Sequence, residues 1–285
     1  MKKLFTFFAL SAIVLGMASC GDGNDPEANK VPEGAINGKF TVDNEGKQVY
    51  FSRGNLQYNA KQEGKWRFAM NQWDTIATNN QIGKEDYEGW ISLFGWGTGE
   101  NPTNTHINNS YYPSYFYEWG ANKISNGGNE YNKWRTLSKE EWTYLFHERD
   151  NADNLWGLGY IKLNNNVYIY GVFILPDNWF DIPNHPDITR THTSYIKVGF
   201  TPDWWKANME AHGAIFLPAE GFREGTTIGN PNRSWYYWSS SMNDENTAYS
   251  NSCKTNASLD QIAIRWPVLG NKRTGQSVRL VQDVK

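Results

Sequence analysis

The sequence predicts an α+β domain, two helices packed with a twisted antiparallel sheet, and three observations carry that prediction. Aromatic residues make up 15% of the 285-residue chain, with 14 Trp, 16 Tyr and 14 Phe, and rings suit a pleated surface better than a helix. The 26 glycines point to many turns. Helix-entry signals occur at two mid-chain positions, with hairpin-like segments before them and a run of short strand-like segments after them. That order argues against a parallel sheet.

The chain opens MKKLFTFFALSAIVLGMASC: Lys2 and Lys3, an apolar run from Leu4 to Leu15, then small residues up to Cys20. This is the architecture of an export signal over residues 1–19, and its apolar run is too short to span a bilayer. MASC resembles a bacterial lipobox. The resemblance implies cleavage before Cys20, a lipid on its sulfur, and, with Gly21 rather than Asp behind it, residence at the outer membrane. Asp22, Asp25 and Glu27 resemble the acidic signal that brings some lipoproteins to the cell surface. The membrane is then met through the lipid anchor only, and Cys253 is left without an intrachain disulfide partner. Residues 20–34, which include GDGNDPEANKVPEG, have almost nothing apolar to offset ordering and predict a flexible tether. Residues 35–285 remain as one domain. With 27 basic and 30 acidic residues and a formal net charge of −3, no basic surface for nucleic acid is predicted.

Within the domain, FTVDNEGKQVYFS predicts a hairpin turning at Gly46, and NLQYNAKQEGKWRFA predicts a second around Gly64, with Leu56, Tyr58, Trp66 and Phe68 alternating. Residues 70–135 carry rings and glycines without a period, a stretch that must either be pinned to the scaffold by its aromatics or be mobile. TLSKEEWTYLF predicts the first helix, about 139–148, with Ser138 and Glu141 as a capping box and Leu137 stapling against Trp142. The second helix starts at Thr201-Pro202 and stops at Gly213. VYIYGVFILP between them is a candidate strand pair, and AIFLPA, WYYWSSS, TAYSNSC, QIAIRW and SVRLVQ supply the closing strands.

WRTLSKEEWTYLF, FLPAEGFREG, YYWSSS and GQSVRLVQD recur in the order and at the distances of the conserved stations of bacterial C-type-lectin-like domains. The chain resembles the surface lipoproteins of Bacteroides-type bacteria that carry this domain and, more distantly, retroelement-diversified variable proteins and formylglycine-generating enzymes. The resemblance implies a C-type-lectin-like fold with N-terminal β-hairpins, a ligand-display face near the C-terminal strands, and a structural ion pair for Arg223. It also implies that Trp238, in the YWSS station, is core. The enzymes of this fold use copper and a close cysteine pair, but here Cys253 has no second cysteine near it. The calcium-dependent lectins use a Glu-Pro-Asn or Gln-Pro-Asp tripeptide that LPDNW does not reproduce. No cofactor and no metal are therefore expected.

Other chemistry finds weak support. His185, Asp187 and His192 offer metal donors at a spacing that fits no closed site. His147, Glu148 and Asp150 sit where the first helix ends. Glu220 and Glu224 flank Arg223 without a second feature to make them a glycosidase pair. Binding is the better class. Strand alternation puts Tyr236 beside Trp238 and leaves Trp235 and Tyr237 on the other face, as ligand-facing rings if that face is open and as core if it is covered. The loops GNPNRS, MNDENT and NASLD bracket the terminal strands, where a rigid scaffold tends to display recognition residues. The predicted ligand set is Asn230, Asn232, Arg233, Trp235, Tyr237, Asn243, Asn246 and Tyr249, facing a glycan or a protein. The alternatives are a structural or adhesive subunit of a surface assembly such as a fimbria, and, further off, an oxidase or hydrolase.

Overall fold

The last strand of the chain completes its first sheet. A computed structural model describes residues 30–76, 81–82, 86–103, 115–164, 167–188, 198–255 and 262–285, and Val31–Lys285 form one unit. The unit is mostly β, with two short helices and several largely antiparallel sheets, an α+β arrangement. β1 (Phe40–Thr41) and β2 (Gln48–Phe51) make the first hairpin. Its turn is closed by Asp43, whose carboxylate accepts from the backbone N–H of Glu45 and Lys47, and Gly46 supplies a φ of +82°. β3 (Leu56–Tyr58) and β4 (Trp66–Phe68) make the second, pairing Leu56 with Phe68 and Tyr58 with Trp66 as the alternation predicts. β5 (Arg135–Thr136) leads into helix α1 (Lys139–Thr143), and the chain's final strand inserts between β2 and β5.

Both helix starts follow local chemistry. Ser138 accepts from the Glu141 N–H at 3.1 Å while the Glu141 carboxylate accepts from the Ser138 N–H at 2.8 Å, so two otherwise orphaned donors are satisfied. One wide π turn carries the helix on through Tyr144–Glu148. Helix α2 (Pro202–Asn208) has Thr201 as its cap and stops, after a short 3₁₀ turn, at Gly213 in the left-handed conformation.

Between the helices the chain departs from expectation. VYIYGVFI is one strand, β7 (Val167–Ile174), and its partner is β6 (Trp156–Asn164), the segment WGLGYIKLN, which the sequence reading passed over. Gly157 and Gly159 break the apolar alternation there, and Gly159 is glycine because a Cβ would sit 2.9 Å from the Val198 carbonyl. With β8 (Val198–Phe200) and β9 (Ile215–Pro218) they form a sheet ordered β8-β6-β7-β9, in which only β6–β8 is parallel. Val172, Ile174 and Leu217 face one core cluster with Trp142 and Phe146; Phe173 and Phe216 face another with Trp205 of α2. This sheet is therefore buried on both faces over its inner half.

The chain continues as the small hairpin β10 (Phe222–Glu224) and β11 (Thr227–Gly229), then the three-stranded sheet β12 (Ser234–Met242), β13 (Thr247–Thr255) and β14 (Ile262–Asn271), and ends with β15 (Leu280–Asp283). β12 carries the four consecutive rings. Trp238 is fully buried, as expected. Trp235 and Tyr237 are buried too, at 1% and 0% exposure, which corrects their assignment to an outward face. They belong to the α1 cluster, where Trp235 meets Trp266 edge-on at 4.9 Å and Tyr237 at 4.9 Å, while Trp238 belongs to a separate cluster with Phe94 and Trp96. Both sides of β12 are covered over its ring-bearing half, and of the four rings only Tyr236, against Phe222, is partly exposed.

Indole N–H groups pin the long irregular stretch. Trp96 donates to the Ser239 carbonyl, Trp134 to Gly127 and Trp238 to Phe94. Residues 31–34, expected in the tether, are folded instead. Gly34 accepts from the Arg53 N–H at 2.7 Å and Ala35 closes a turn on Pro32, so 31–34 already belong to the folded unit. Cys20 and the leader lie outside the described residues.

Candidate functional site

Along the β6–β7 hairpin one sheet face runs from core to surface. Trp156 and Leu158 on β6, with Val172 and Ile174 on β7, are buried. Two residues further out the same face carries Tyr160 opposite Tyr170, and then Lys162 opposite Tyr168. The three tyrosines are half-buried and pack as a ladder: Tyr160 lies 5.7 Å from Tyr170 and 5.4 Å from Tyr168, both edge-on. Gly199, paired with Tyr160 from β8, leaves the space this needs, since a Cβ there would stand 2.3 Å from the Tyr160 ring. The Lys162 ammonium sits 5.9 Å from the Tyr168 centroid. Burial first, and then the neighbouring Tyr160 and Tyr168, raise the Tyr170 phenol above its ordinary value, so it stays a neutral donor. A row of rings with one side in the core and the other in solvent can stack on a flat, partly apolar ligand.

The loop 229–234 is stitched to this ladder. Asn232 accepts from the Tyr170 N–H at 2.8 Å and donates to the Tyr168 carbonyl at 2.6 Å. Asn230 and Asn232 both adopt positive φ, at 47° and 58°, which asparagine tolerates. Asn232 thus holds the loop, while Asn230 and Arg233 are exposed beside it.

Asn243, Asn246 and Tyr249 fall elsewhere. They cluster at the β12–β13 turn, where Tyr249 donates to Asn243 at 3.0 Å, Asn243 donates to Thr247 at 2.9 Å, Asn246 donates to Glu245 at 3.3 Å, and Lys139 lies 4.5 Å over the Tyr249 ring. Loops 229–234 and 242–247 flank the start and the end of β12, roughly 25 Å apart at strand rise. The predicted set is therefore two groups at opposite ends of one strand, with Trp235 and Tyr237 buried between them. NASLD lies outside the described residues.

Tyr237 instead joins a buried polar network. It exchanges hydrogen bonds with Asn55, and Gln72 accepts from Arg279 at 2.9 Å; burial lowers the Arg279 guanidinium to about 10. Glu220 accepts from the Ile76 N–H, Ser92 and Ser277, and burial raises its carboxyl despite those bonds. Glu224 is exposed, so the two acids do not share a setting. Arg223 corrects the expected ion pair: its guanidinium is buried and donates to the carbonyls of Leu93 at 3.0 Å and Gly225 at 2.6 Å, with no carboxylate bridged to it among the described residues. Burial lowers it to about 10. Cys253 is buried and its thiol is pushed up to about 12, which makes it a poor nucleophile. Among the described residues no group of three or more His, Cys, Asp or Glu is placed to hold a metal; His185 and Asp187 are described and His192 is not.

Sequence reading missed Tyr160, Lys162, Tyr168 and Tyr170. The signal was Tyr168 and Tyr170 at a spacing of two in VYIY, legible only once the partner strand is known. No protein-family model matches this chain, and no curated protein or solved structure matches it significantly, so the reading of the site rests on its own residues.

Proposed function

We propose that this protein is a lipid-anchored, outer-membrane, surface-exposed binding protein with a C-type-lectin-like fold that captures a glycan without transforming it. One observation carries the binding reading: three tyrosines, half in the core and half in solvent, aligned along one sheet face beside an Asn/Arg loop that Asn232 holds in register. Rings packed edge-on with centroids 5.4 to 5.7 Å apart present a partly apolar surface on which the C–H face of a sugar can stack. Asn230 and Arg233 are exposed donors at the rim. The anchor reading is supported by the leader and the MASC sequence ending at Cys20. The fold reading is supported by the α+β class and the order of the four sequence stations.

A glycan array probed with the purified protein tests the binding, and Tyr168→Ala should weaken every positive spot by about tenfold, roughly 1.4 kcal/mol. A blank array, with other envelope proteins co-purifying instead, supports the second reading, a subunit of a surface assembly. That reading is favoured by β14, an edge strand exposing Arg265, Pro267, Leu269 and Asn271. For the anchor, Cys20→Ala should release the protein from the membrane fraction; a variant still sedimenting with membranes contradicts it.

A further inference from the structure

A second concavity lies on a different hairpin. Next to β3 the surface opens into a cleft of about 340 Å³, at the small end of the range for ligand sites and suited to one ring rather than a chain. It is lined by the half-buried Tyr58 and Tyr87, the buried Ile82 and Ile91, and the exposed Lys61 and Gln81. The lining is built before any ligand arrives. Tyr58 exchanges backbone hydrogen bonds with Ile91 at 3.0 and 2.8 Å and is braced by Trp66 at 4.8 Å. The Tyr87 hydroxyl donates to the Trp90 carbonyl at 3.1 Å. The buried Asn59 accepts from the Lys61 N–H at 2.9 Å and donates to the Glu88 carbonyl at 2.8 Å, which ties the base of the lysine to the facing segment. Among the described lining residues Lys61 is the one charged side chain and none is acidic.

We propose that this cleft is a binding site for a single carboxylated pyranose, the ring lying between Tyr58 and Tyr87, its hydroxyls meeting Gln81 and its carboxylate meeting the Lys61 ammonium. Two aromatic rings and two apolar side chains select a ring with an apolar face. The amide and phenol groups select hydroxyls, and an ammonium with no acid beside it among the described lining residues selects an anion over a neutral sugar. The proposal does not rest on the tyrosine ladder of β6 and β7, which belongs to another sheet.

The test titrates the purified full chain with sodium glucuronate, glucose and sodium benzoate by calorimetry at low and high salt. Glucuronate should bind at least five-fold tighter than glucose and benzoate, and salt should narrow its lead over glucose. Lys61→Gln, at an exposed position, should leave the thermal midpoint unchanged and abolish that lead. Gln81→Ala should weaken both sugars, whereas Tyr168→Ala should change nothing here. Equal affinity for glucose and glucuronate, full binding by the Lys61→Gln variant, a preference for benzoate, or no binding of glucuronate would each overturn the proposal. A blank array from the parent protein, or array binding unchanged by Tyr168→Ala, with glucuronate binding intact would overturn the ladder reading alone.

Discussion

Asn55 and Tyr237, 182 residues apart in sequence, exchange two hydrogen bonds inside the protein: the Asn55 amide donates to the tyrosine oxygen at 2.8 Å and the tyrosine hydroxyl donates back at 3.0 Å. The pair joins the residue that follows Gly54, ahead of β3, to the middle of β12. Tyr237→Phe leaves the Asn55 amide buried and short of a partner, a loss of about 1 to 3 kcal/mol in stability. Trp235→Ala, which empties a site among Phe146, Tyr237 and Trp266, should cost about 3 to 5 kcal/mol. Urea unfolding followed by tryptophan fluorescence checks both; unchanged midpoints would contradict the burial of this face.

The carboxyl of Glu220 gives the protein a pH-dependent element. Its folded-state pKa is raised, chiefly by burial, so its favourable contribution is complete below the ordinary carboxylate pKa and is lost as pH rises through the folded value. Glu220→Gln cannot ionise. Its thermal midpoint relative to the parent protein should therefore rise between pH 5 and pH 8. A difference that is flat or falls over that interval would show that hydrogen bonds from Ser92, Ser277 and Ile76 outweigh desolvation.

The helix α1 start is a local test. Ser138→Ala removes one half of the capping box and should cost about 0.5 to 2 kcal/mol. Ser138→Asp should recover most of it, because Asp also caps. Equal losses in both variants, read by chemical denaturation, would mean that the packing of Trp142 and Phe146 alone holds the helix.

At the ladder, Asn232 and Tyr168 separate support from contact. Asn232→Ala strips a partner from the Tyr170 N–H and the Tyr168 carbonyl, and should lower stability by about 1 to 3 kcal/mol. Tyr168→Ala, half-exposed, should leave the thermal midpoint within a few degrees while it weakens glycan binding. The opposite pattern would place the recognition surface elsewhere.

Much of the secondary structure was legible because its causes are local. Ser138 and Glu141, Thr201 and Pro202, Gly46 and the alternating Leu56 to Phe68 hairpin each act within a few residues, and each is where the sequence puts it. β6 was not legible, because Gly159 answers to Val198, Phe200 and Phe173 on the neighbouring strands rather than to neighbours in sequence. The candidate site was legible in part: the 229–234 loop belongs to it, but Trp235 and Tyr237 do not.

For WYYWSSS, the amino-acid sequence alone determined a strand with two ring-bearing faces, since alternation is a property of the backbone. Which faces are covered was decided only by tertiary structure. Helix α1 and β6 bring Phe146 and Trp156 to the Trp235 side, and the long aromatic segment brings Phe94 to the Trp238 side. Those partners lie on the order of a hundred residues away, and period-two patterning carries no information about them. The same physics left the tyrosines of β6 and β7 half uncovered, where the sheet runs out past its core.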